Sequence, residues 1–388
     1  MNEEKNVPHA GLTSIVLLSC NTLPYTRLCI ESIRQYTEDG TYELIAVENG
    51  STDGSAEWLR GQRDIRLFCN AENRGFPGGC NQGMRAAVGD SILLLNNDTI
   101  VTPRWLSNMR RALFSAPDVG AVGCVTNHCS NGQKIPVHYE SIEEMELFAE
   151  GFNQSDPERW IPWFMLVGFA FLLRREAYVE VGGFDEAFHP GNCEDDDLSI
   201  RLRHAGYDLL LAQDTFIHHF GSASFGCNAG PEEFRRRQED YAALLKRNTR
   251  HLKEKWGLDE GYKVRWEMSG ILPDELPRGT RITLVNCRYG NELYVLNARY
   301  PGIELRGIAV GNPSPVPISP RLHAIFTDSW ANAADVVEAQ QDYIFLFDFP
   351  EEEEQKERFD AFCAKLRVGG KLLIYRNEAG VYAMDRTR

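Results

Sequence analysis

NAENRGFPGGCNQGMRAAVGDSILLLNNDTIV, residues 70–101, contains one complete turn of an α/β sheet. Asn73-Arg74-Gly75-Phe76 and Gly78-Gly79 make a glycine-rich loop ahead of a helix holding Met84, Ala86 and Ala87. Ser91 to Leu95 is then a short strand with four successive apolar residues after Ser91, which stops at Asn96-Asn97-Asp98-Thr99. A strand apolar on both faces belongs inside a parallel sheet covered by helices.

The flanking sequence repeats the alternation. Upstream, Ser14 to Ser19 and Tyr42 to Val47 read as strands, with a helix between them through about Tyr36. Ser51-Thr52-Asp53 supplies capping residues for a helix that includes Glu57, and Ile65 to Cys69 is a third strand. Downstream, the stretch Asn127 to Trp160 is irregular. The apolar segment Phe164 to Leu173 and helices over Arg175 to Val181 and Asp195 to Ala205 follow, then a charged helix over Pro231 to Trp256. Such strand–helix order predicts a mostly parallel, Rossmann-like sheet with helices on both faces. From Arg281 the alternation restarts and predicts a second, smaller α/β domain. The expected division is a first domain over 1–265 (core 12–225, helical extension 231–256), a linker over 266–280 and a second domain over 281–388. Glu351 to Glu354 reads as a solvated helix start.

Ligands of open α/β sheets bind beyond the carboxyl ends of the strands. The polar clusters fall there: Cys20-Asn21 after the first strand, Glu48-Asn49-Gly50 after the second, Asn96-Asn97-Asp98 after the fourth. Each alone is an ordinary turn former, but three on one edge suggest a site. One carboxylate such as Asp98, with water and substrate phosphates, is a common way to hold Mg²⁺. Glu194-Asp195-Asp196-Asp197 suits a helix N-terminus, and Asp197 can pair with Arg201. Four successive carboxylates also repel one another, which raises a proton affinity as a general base requires. His218-His219 offers an imidazole for a Mn²⁺-like metal.

At 388 residues and a net charge of -15, the chain lacks the concentrated basic charge of a nucleic-acid binder. No apolar run nears the ~20 residues of a membrane span. Met1 to Gly11 is polar, without the apolar centre of a secretory signal. The ten cysteines are irregularly spaced and read as reduced thiols. The expectation is a cytoplasmic chain, with peripheral docking at the inner face of a membrane left open, as is homo-oligomerisation.

Several pieces, in order, resemble the family 2 glycosyltransferases of GT-A fold, especially their rhamnosyltransferase-like branch. They are SIVLLSCN, ELIAVENGSTDGS, the 70–101 stretch, GFAFLLRREAYVEVGGFDEAF, EDDDLSIRLRHAGY and HHFGSAS, spanning roughly residues 12–225. The resemblance implies an inverting transferase that uses Mn²⁺ or Mg²⁺ and a nucleotide diphosphate-sugar, UDP- or dTDP-linked by preference. The acceptor would be a glycan, a lipid-linked saccharide or a protein, in cell-surface glycan biosynthesis.

It also implies roles. Cys20, Asn21, Glu48 and Asn49 would face the nucleotide base and ribose, with Glu48 where relatives carry Asp and Asp53 either beside them or capping its helix. Asn73, Arg74, Gly79 and Asn97 would lie near the nucleotide. Asp98 would hold the metal, the first acid of the usual D-x-D being Asn96 here. His219 fits the metal-side histidine better than His218 by its spacing to Gly221 and Ser224, though either could approach the metal. Asp195 would be the catalytic base, and Trp160 or Trp163 could stack on a sugar. The alternatives are a non-catalytic pseudo-transferase, and a sugar-phosphate nucleotidyltransferase, whose basic glycine-rich N-terminal signature is missing.

The second domain resembles a class I methyltransferase that has lost its site. RITLVNCRYGNELYVLNARYPGIELRGIAV and KLRVGGKLLIY follow that family's strands, but Asn286 to Gly290 replaces the glycine-rich turn and Ala309 stands where an acid would hold the cofactor.

Overall fold

The computed structural model describes residues 8–221, 231–259, 262, 271–311, 314–350, 355–376 and 380–385. The chain divides into two compact units, Met1–Glu254 and Lys255–Arg388. Glu351–Glu354 and Ser222–Ser224 lie outside the described residues.

The first unit runs β1 (His9–Ser19), α1 (Leu23–Tyr36), β2 (Tyr42–Asn49), α2 (Ser55–Arg60), β3 (Ile65–Asn70), α3 (Gly75–Ala86), β4 (Gly89–Asn96) and β5 (Thr99–Ile100). It continues with α4 (Trp105–Leu113), β6 (Val119–Val125), α5 (Ile142–Phe152), β7 (Trp160–Pro162), β8 (Ala170–Arg174), α6 (Arg175–Val181), α7 (Glu194–His204), β9 (Asp208–Phe216), β10 (His218–His219) and α8 (Pro231–Trp256). Eight strands form one sheet in the order β3-β2-β1-β4-β8-β6-β9-β7. β3, β2, β1 and β4 are parallel neighbours, as the alternation predicts. β8 enters antiparallel between β4 and β6, so its first residues stand at the carboxyl edge of β4. A separate antiparallel pair joins β5 to β10.

Apolar burial explains the arrangement. Ile15, Val16 and Leu17 of β1 and Ile92 to Leu95 of β4 are buried on both faces, the continuous pattern of interior parallel strands. α3 lies so close to β1 that a Cβ added at Gly83 would stand 2.3 Å from Val16 Cγ1. Gly83→Ala should therefore cost about 1–3 kcal/mol through overpacking, more than the ~1 kcal/mol that alanine gains in helix propensity. Urea unfolding would read this as a lower midpoint at unchanged slope, and an unchanged midpoint would refute the close-packing account.

The stretch read as irregular contains α5. Its start carries a capping signal: the Ser141 hydroxyl accepts from Glu144 N at 3.2 Å, and the Glu144 carboxylate accepts from Glu140 N at 2.8 Å.

The second unit holds β11 (Arg281–Val285), α9 (Asn291–Arg299), β12 (Glu304–Val310), β13 (His323–Thr327), α10 (Trp330–Val336), β14 (Gln341–Phe347), α11 (Gln355–Lys365), β15 (Leu366–Arg376) and β16 (Gly380–Asp385). Its sheet has the order β13-β12-β11-β14-β15-β16, parallel except for β16. The expected linker is corrected in its described part. Gly279 N donates to Gly302 O at 2.8 Å and the Tyr300 hydroxyl to Pro273 O at 2.8 Å, so 271–280 is built into this unit.

Candidate functional site

The carboxyl edge of β1, β2 and β4 gathers most of the expected residues. After β2, the Glu48 carboxylate accepts from the amides of Ser51 (2.6 Å) and Gly50 (3.3 Å), closing its own turn. Asn49, only 1% exposed, uses its whole amide on the next loop. Its Nδ2 donates to Asn73 Oδ1 (2.8 Å) and Gly75 O (3.2 Å), while its Oδ1 accepts from Arg74 N (3.1 Å) and Asn70 Nδ2 (3.1 Å). Asn49 and Asn73 thus hold the loop in shape from below.

Asn21 adopts a left-handed backbone (φ 54°), which turns its side chain to accept from Thr52 N at 2.8 Å. Asp53 resolves to a structural role: it accepts from Leu23 N (2.8 Å), Ser55 N (3.0 Å) and the Ser55 hydroxyl (2.6 Å). Partial burial works to raise its carboxyl, but these hydrogen bonds win and hold it below the usual range. Burial, with Glu48 and Asp53 nearby, pushes the Cys20 thiol up, so it is no nucleophile.

Two expected donor residues turn inward. Gly79 lies inside α3, where a Cβ would meet Leu18 Cδ1 at 2.3 Å, so its smallness serves helix–sheet packing. Asn97 is buried and donates to the hydroxyls of Thr22 (2.6 Å) and Thr26 (2.7 Å), fastening the end of β4 to α1.

Asp98 and His219 meet. β10 pairs with β5 so that His219 lies opposite Thr99, the neighbour of Asp98. His219 Nδ1 lies 2.7 Å from the carbonyl of His128, which can only accept, so Nδ1 carries a proton. Nε2 then faces Asp98 Oδ1 at 3.2 Å, with Asn96 Nδ2 at 3.4 Å. The Nε2 lone pair can accept from Asn96 Nδ2, and beside the Asp98 oxygen it could share a cation with that carboxylate. The backbone partner on the other ring nitrogen is the usual outer support of a metal-binding histidine. Among the described residues no group of three or more His, Cys, Asp or Glu side chains gathers around a metal-sized space. The two-residue donor set fits Mg²⁺ or Mn²⁺, which take remaining ligands from water and phosphate.

His218 points the other way, as strand alternation requires. Its Nδ1 and the Tyr139 hydroxyl are 2.6 Å apart, and burial, helped by His219, lowers its pKa to about 4. It is a neutral packing residue, and of the two imidazoles it is His219 that stands 3.2 Å from the Asp98 carboxylate.

The acidic run opens α7. Asp197 is fully buried and pairs with Arg201 Nε at 2.9 Å, the structural role its spacing suggested. Asp195 accepts from Gly168 N (2.9 Å) and from Asp196 N (2.9 Å). Burial raises its pKa against those two bonds. Burial and the Asp195 charge push Glu194 well above the ordinary range and Asp196 up to about 8. Burial thus raises all three carboxyls, the Asp195 charge adds to the rise at Glu194 and Asp196, and the two backbone N–H bonds oppose it at Asp195.

This has a stability consequence. An acid raised in the folded state contributes stability below its unfolded pKa and loses it as pH climbs through the folded value. For Asp196 the window runs from 3.8 to about 8. Asp196→Asn should melt a few degrees higher than the parent at pH 8, with the gap closing toward pH 4. Melting curves across that range test it, and a gap independent of pH would contradict the raised carboxyl.

Gly168 and Phe169 join the two halves. Gly168 N binds Asp195, and the next ring, Phe169, stacks on His219 at 5.3 Å and 17°. Phe169 O in turn accepts from Asn96 N at 2.8 Å. The sequence reading missed this junction, as it missed Asn127, whose Oδ1 accepts from His219 N at 2.8 Å. The tryptophans turn out structural. Trp163 is buried against Phe164, and Trp160 Nε1 donates to Asp214 Oδ2 at 2.7 Å.

Residues 14–182 match the family model described as Glycosyl transferase family 2. An O-antigen biosynthesis protein from Myxococcus xanthus is 30% identical over 228 residues, 53% of this chain and 17% of that protein. An uncharacterised protein from Sinorhizobium fredii is 26% identical over 262 residues, 63% and 27% respectively. A pre-mycofactocin glycosyltransferase from Mycobacterium tuberculosis is 27% identical over 215 residues, covering 54% and 43%. This chain thus spans less than half the length of each of these relatives. Among solved structures, a mannosyltransferase from Pyrobaculum calidifontis in complex with GDP-Man and Mn²⁺ aligns at 17% identity and TM-score 0.41, covering 64% of this chain and 76% of that one. No helix among the described residues is long and apolar enough to cross a membrane.

Proposed function

We propose that this chain, which carries a Glycosyl transferase family 2 domain over residues 14–182, is a metal-dependent inverting glycosyltransferase. The observation that carries the reading is the Gly168–Phe169 junction, which sets Asp195 and the Asp98–His219 pair at one sheet edge.

The donor is a nucleotide diphosphate-sugar, UDP- or dTDP-linked by preference. Its nucleotide lies over Cys20, Asn21 and the loop held by Glu48, Asn49 and Asn73, with Arg74 beside the diphosphate. Asp98 and His219 would hold a divalent cation, which would supply charge neutralisation for a departing diphosphate. Asp195 takes the proton from the acceptor hydroxyl as that oxygen bonds to the anomeric carbon and the bond to the diphosphate breaks, with inversion. Its raised pKa makes it a stronger base than a surface aspartate while Gly168 N keeps it aimed. The acceptor is a glycan, a lipid-linked saccharide or a protein. Work at the inner face of the membrane suits such acceptors. The second unit, whose sequence resembles a class I methyltransferase with Ala309 in place of an acid, serves docking rather than catalysis.

A thermal-shift panel of UDP-, dTDP- and GDP-sugars with and without Mn²⁺ tests the donor site. A ligand that binds only the folded state raises the melting temperature by an amount set by its concentration relative to Kd. One nucleotide should raise it only with metal. Asn96, where the usual motif has its first acid, favours one rival, a non-catalytic binder of the same donor. That rival would give the shift without any transfer or donor hydrolysis.

A further inference from the structure

The segment Phe188–Cys193 leads into α7 and so into Asp195. It ends with two successive non-glycine residues in left-handed conformation, Asn192 (φ 74°) and Cys193 (φ 70°). Such a backbone persists only where its surroundings over-determine it. Its carbonyls, turned away from any ladder, also need donors.

One side chain supplies them. Asn248 of α8 is 1% exposed, and its Nδ2 donates to Phe188 O (2.9 Å), Gly191 O (2.7 Å) and Asn192 O (3.0 Å). Its Oδ1 accepts from Arg247 Nε at 2.9 Å, which fixes the amide's orientation. Arg247 also donates to His189 O, and the Tyr241 hydroxyl donates to Asn192 Oδ1 at 3.2 Å. On its other side the segment meets the donor loop. Phe76 N donates to Pro190 O at 2.7 Å, His189 Nδ1 lies 3.3 Å from Arg74 O, and a Cβ at Gly75 would stand 2.5 Å from His189 Nδ1. The segment is thus held between the loop at Arg74–Phe76 and α8, and hands its position to the first turn of α7, where Asp197 N donates to Cys193 O at 3.0 Å.

We infer that Asn248 is a positioning residue for Asp195, acting through the Phe188–Cys193 segment, which also ties the base to the donor loop. The inference rests on the reading of Asp195 as catalytic base. Asn248 touches neither substrate nor Asp195. Its removal frees three carbonyls, lets the left-handed pair relax, and moves the start of α7 away from Gly168 N.

The test compares the full chain with Asn248→Ala. Two readouts are taken: kcat and donor KM, and the titration midpoint of the Asp195 carboxyl by carbon NMR, assigned with Asp195→Asn. Misplacement of a reacting group lowers kcat by about 10²-fold. Donor KM and the Kd for UDP with Mn²⁺ should stay within about threefold, and the midpoint should fall by more than about half a pH unit, because relief of burial, the largest cause of the rise, outweighs loss of the lowering bond from Gly168 N. A general loss of folded protein would scale the rate and leave the midpoint in place. An unmoved midpoint, or equal losses in kcat and UDP affinity, overturns the inference. Should Asn248→Ala fail to fold, Arg247→Met removes the partner on Asn248 Oδ1 from an exposed position. It should move both readouts the same way by less, and no movement counts against the inference. A parent chain that transfers no sugar, yet whose Asp195 midpoint drops in the variant, refutes the base reading while the link from Asn248 to Asp195 stands.

Discussion

Asp98→Ala is expected to remove metal-dependent sugar transfer, lowering the rate by about 10³-fold or more. The size follows from how little else is there. Asn96 replaces the acid that relatives carry first, Asn97 spends its amide on Thr22 and Thr26, and His218 faces Tyr139. On the proposed reading, Asp98 and His219 would be the ligands supplied by the described residues, and Asp98 the carboxylate among them. His219→Ala should cost less, about 10–100-fold, because one neutral ligand is easily replaced by water. The check is initial rate against Mn²⁺ concentration, with metal affinity in the presence of UDP measured calorimetrically. Asp98→Ala should abolish the Mn²⁺ dependence of UDP binding, whereas His219→Ala should shift it to higher metal. Full activity in Asp98→Ala would place the cation elsewhere or remove it from the mechanism. The substitution leaves the core intact, since the carbonyl of Asp98, not its carboxylate, accepts from Phe220 N at 2.9 Å.

Much of this site was legible before the structure because strand-end chemistry is local. The apolar run Ile92–Leu95 stops at Asn96-Asn97-Asp98, and a parallel strand delivers whatever follows it to the carboxyl edge. The same rule placed Asn21 and Asn49 correctly, but it could not say which of them would be consumed internally. Asn49 and Asn97 look alike in sequence, yet both are buried and serve turns, which depends on loops more than 20 residues away. Gly79 looked like a phosphate-loop residue and is a helix–sheet contact, a distinction set by Leu18 on another strand. The antiparallel entry of β8 was the larger loss. FAFLLR is apolar enough for either direction, and only the sheet order brings Gly168 to Asp195 and Phe169 to His219. The choice between His218 and His219 likewise waited on the β5–β10 pairing, which puts one imidazole over Asp98 and the other against Tyr139.

Asp195→Asn should abolish transfer, by about 10³–10⁴-fold, while metal-dependent donor binding stays within about threefold of the parent. The amide is isosteric and its one oxygen can still accept from Gly168 N, so the loss is confined to the Asp196 N bond within the first turn of α7. What disappears is the proton acceptor. Donor binding rests on other residues, so a loss confined to kcat separates chemistry from affinity. The parent's pH profile carries the second half of the test. Activity needs the carboxylate, and burial raises the Asp195 pKa, so the acid limb of kcat should lie above the ordinary aspartate range and activity should fall as pH drops through it. Glu194 and Asp196 sharpen this. The Asp195 charge helps to hold both in their protonated forms. Asp196→Asn cannot ionise, so it spares Asp195 a neighbouring charge at high pH and should leave the acid limb nearly in place. Glu194→Gln should do the same. If instead Asp196→Asn erased activity and Asp195→Asn retained it, the proton would be leaving through Asp196, and the bond from Gly168 N would be holding a structural carboxylate beside the true base.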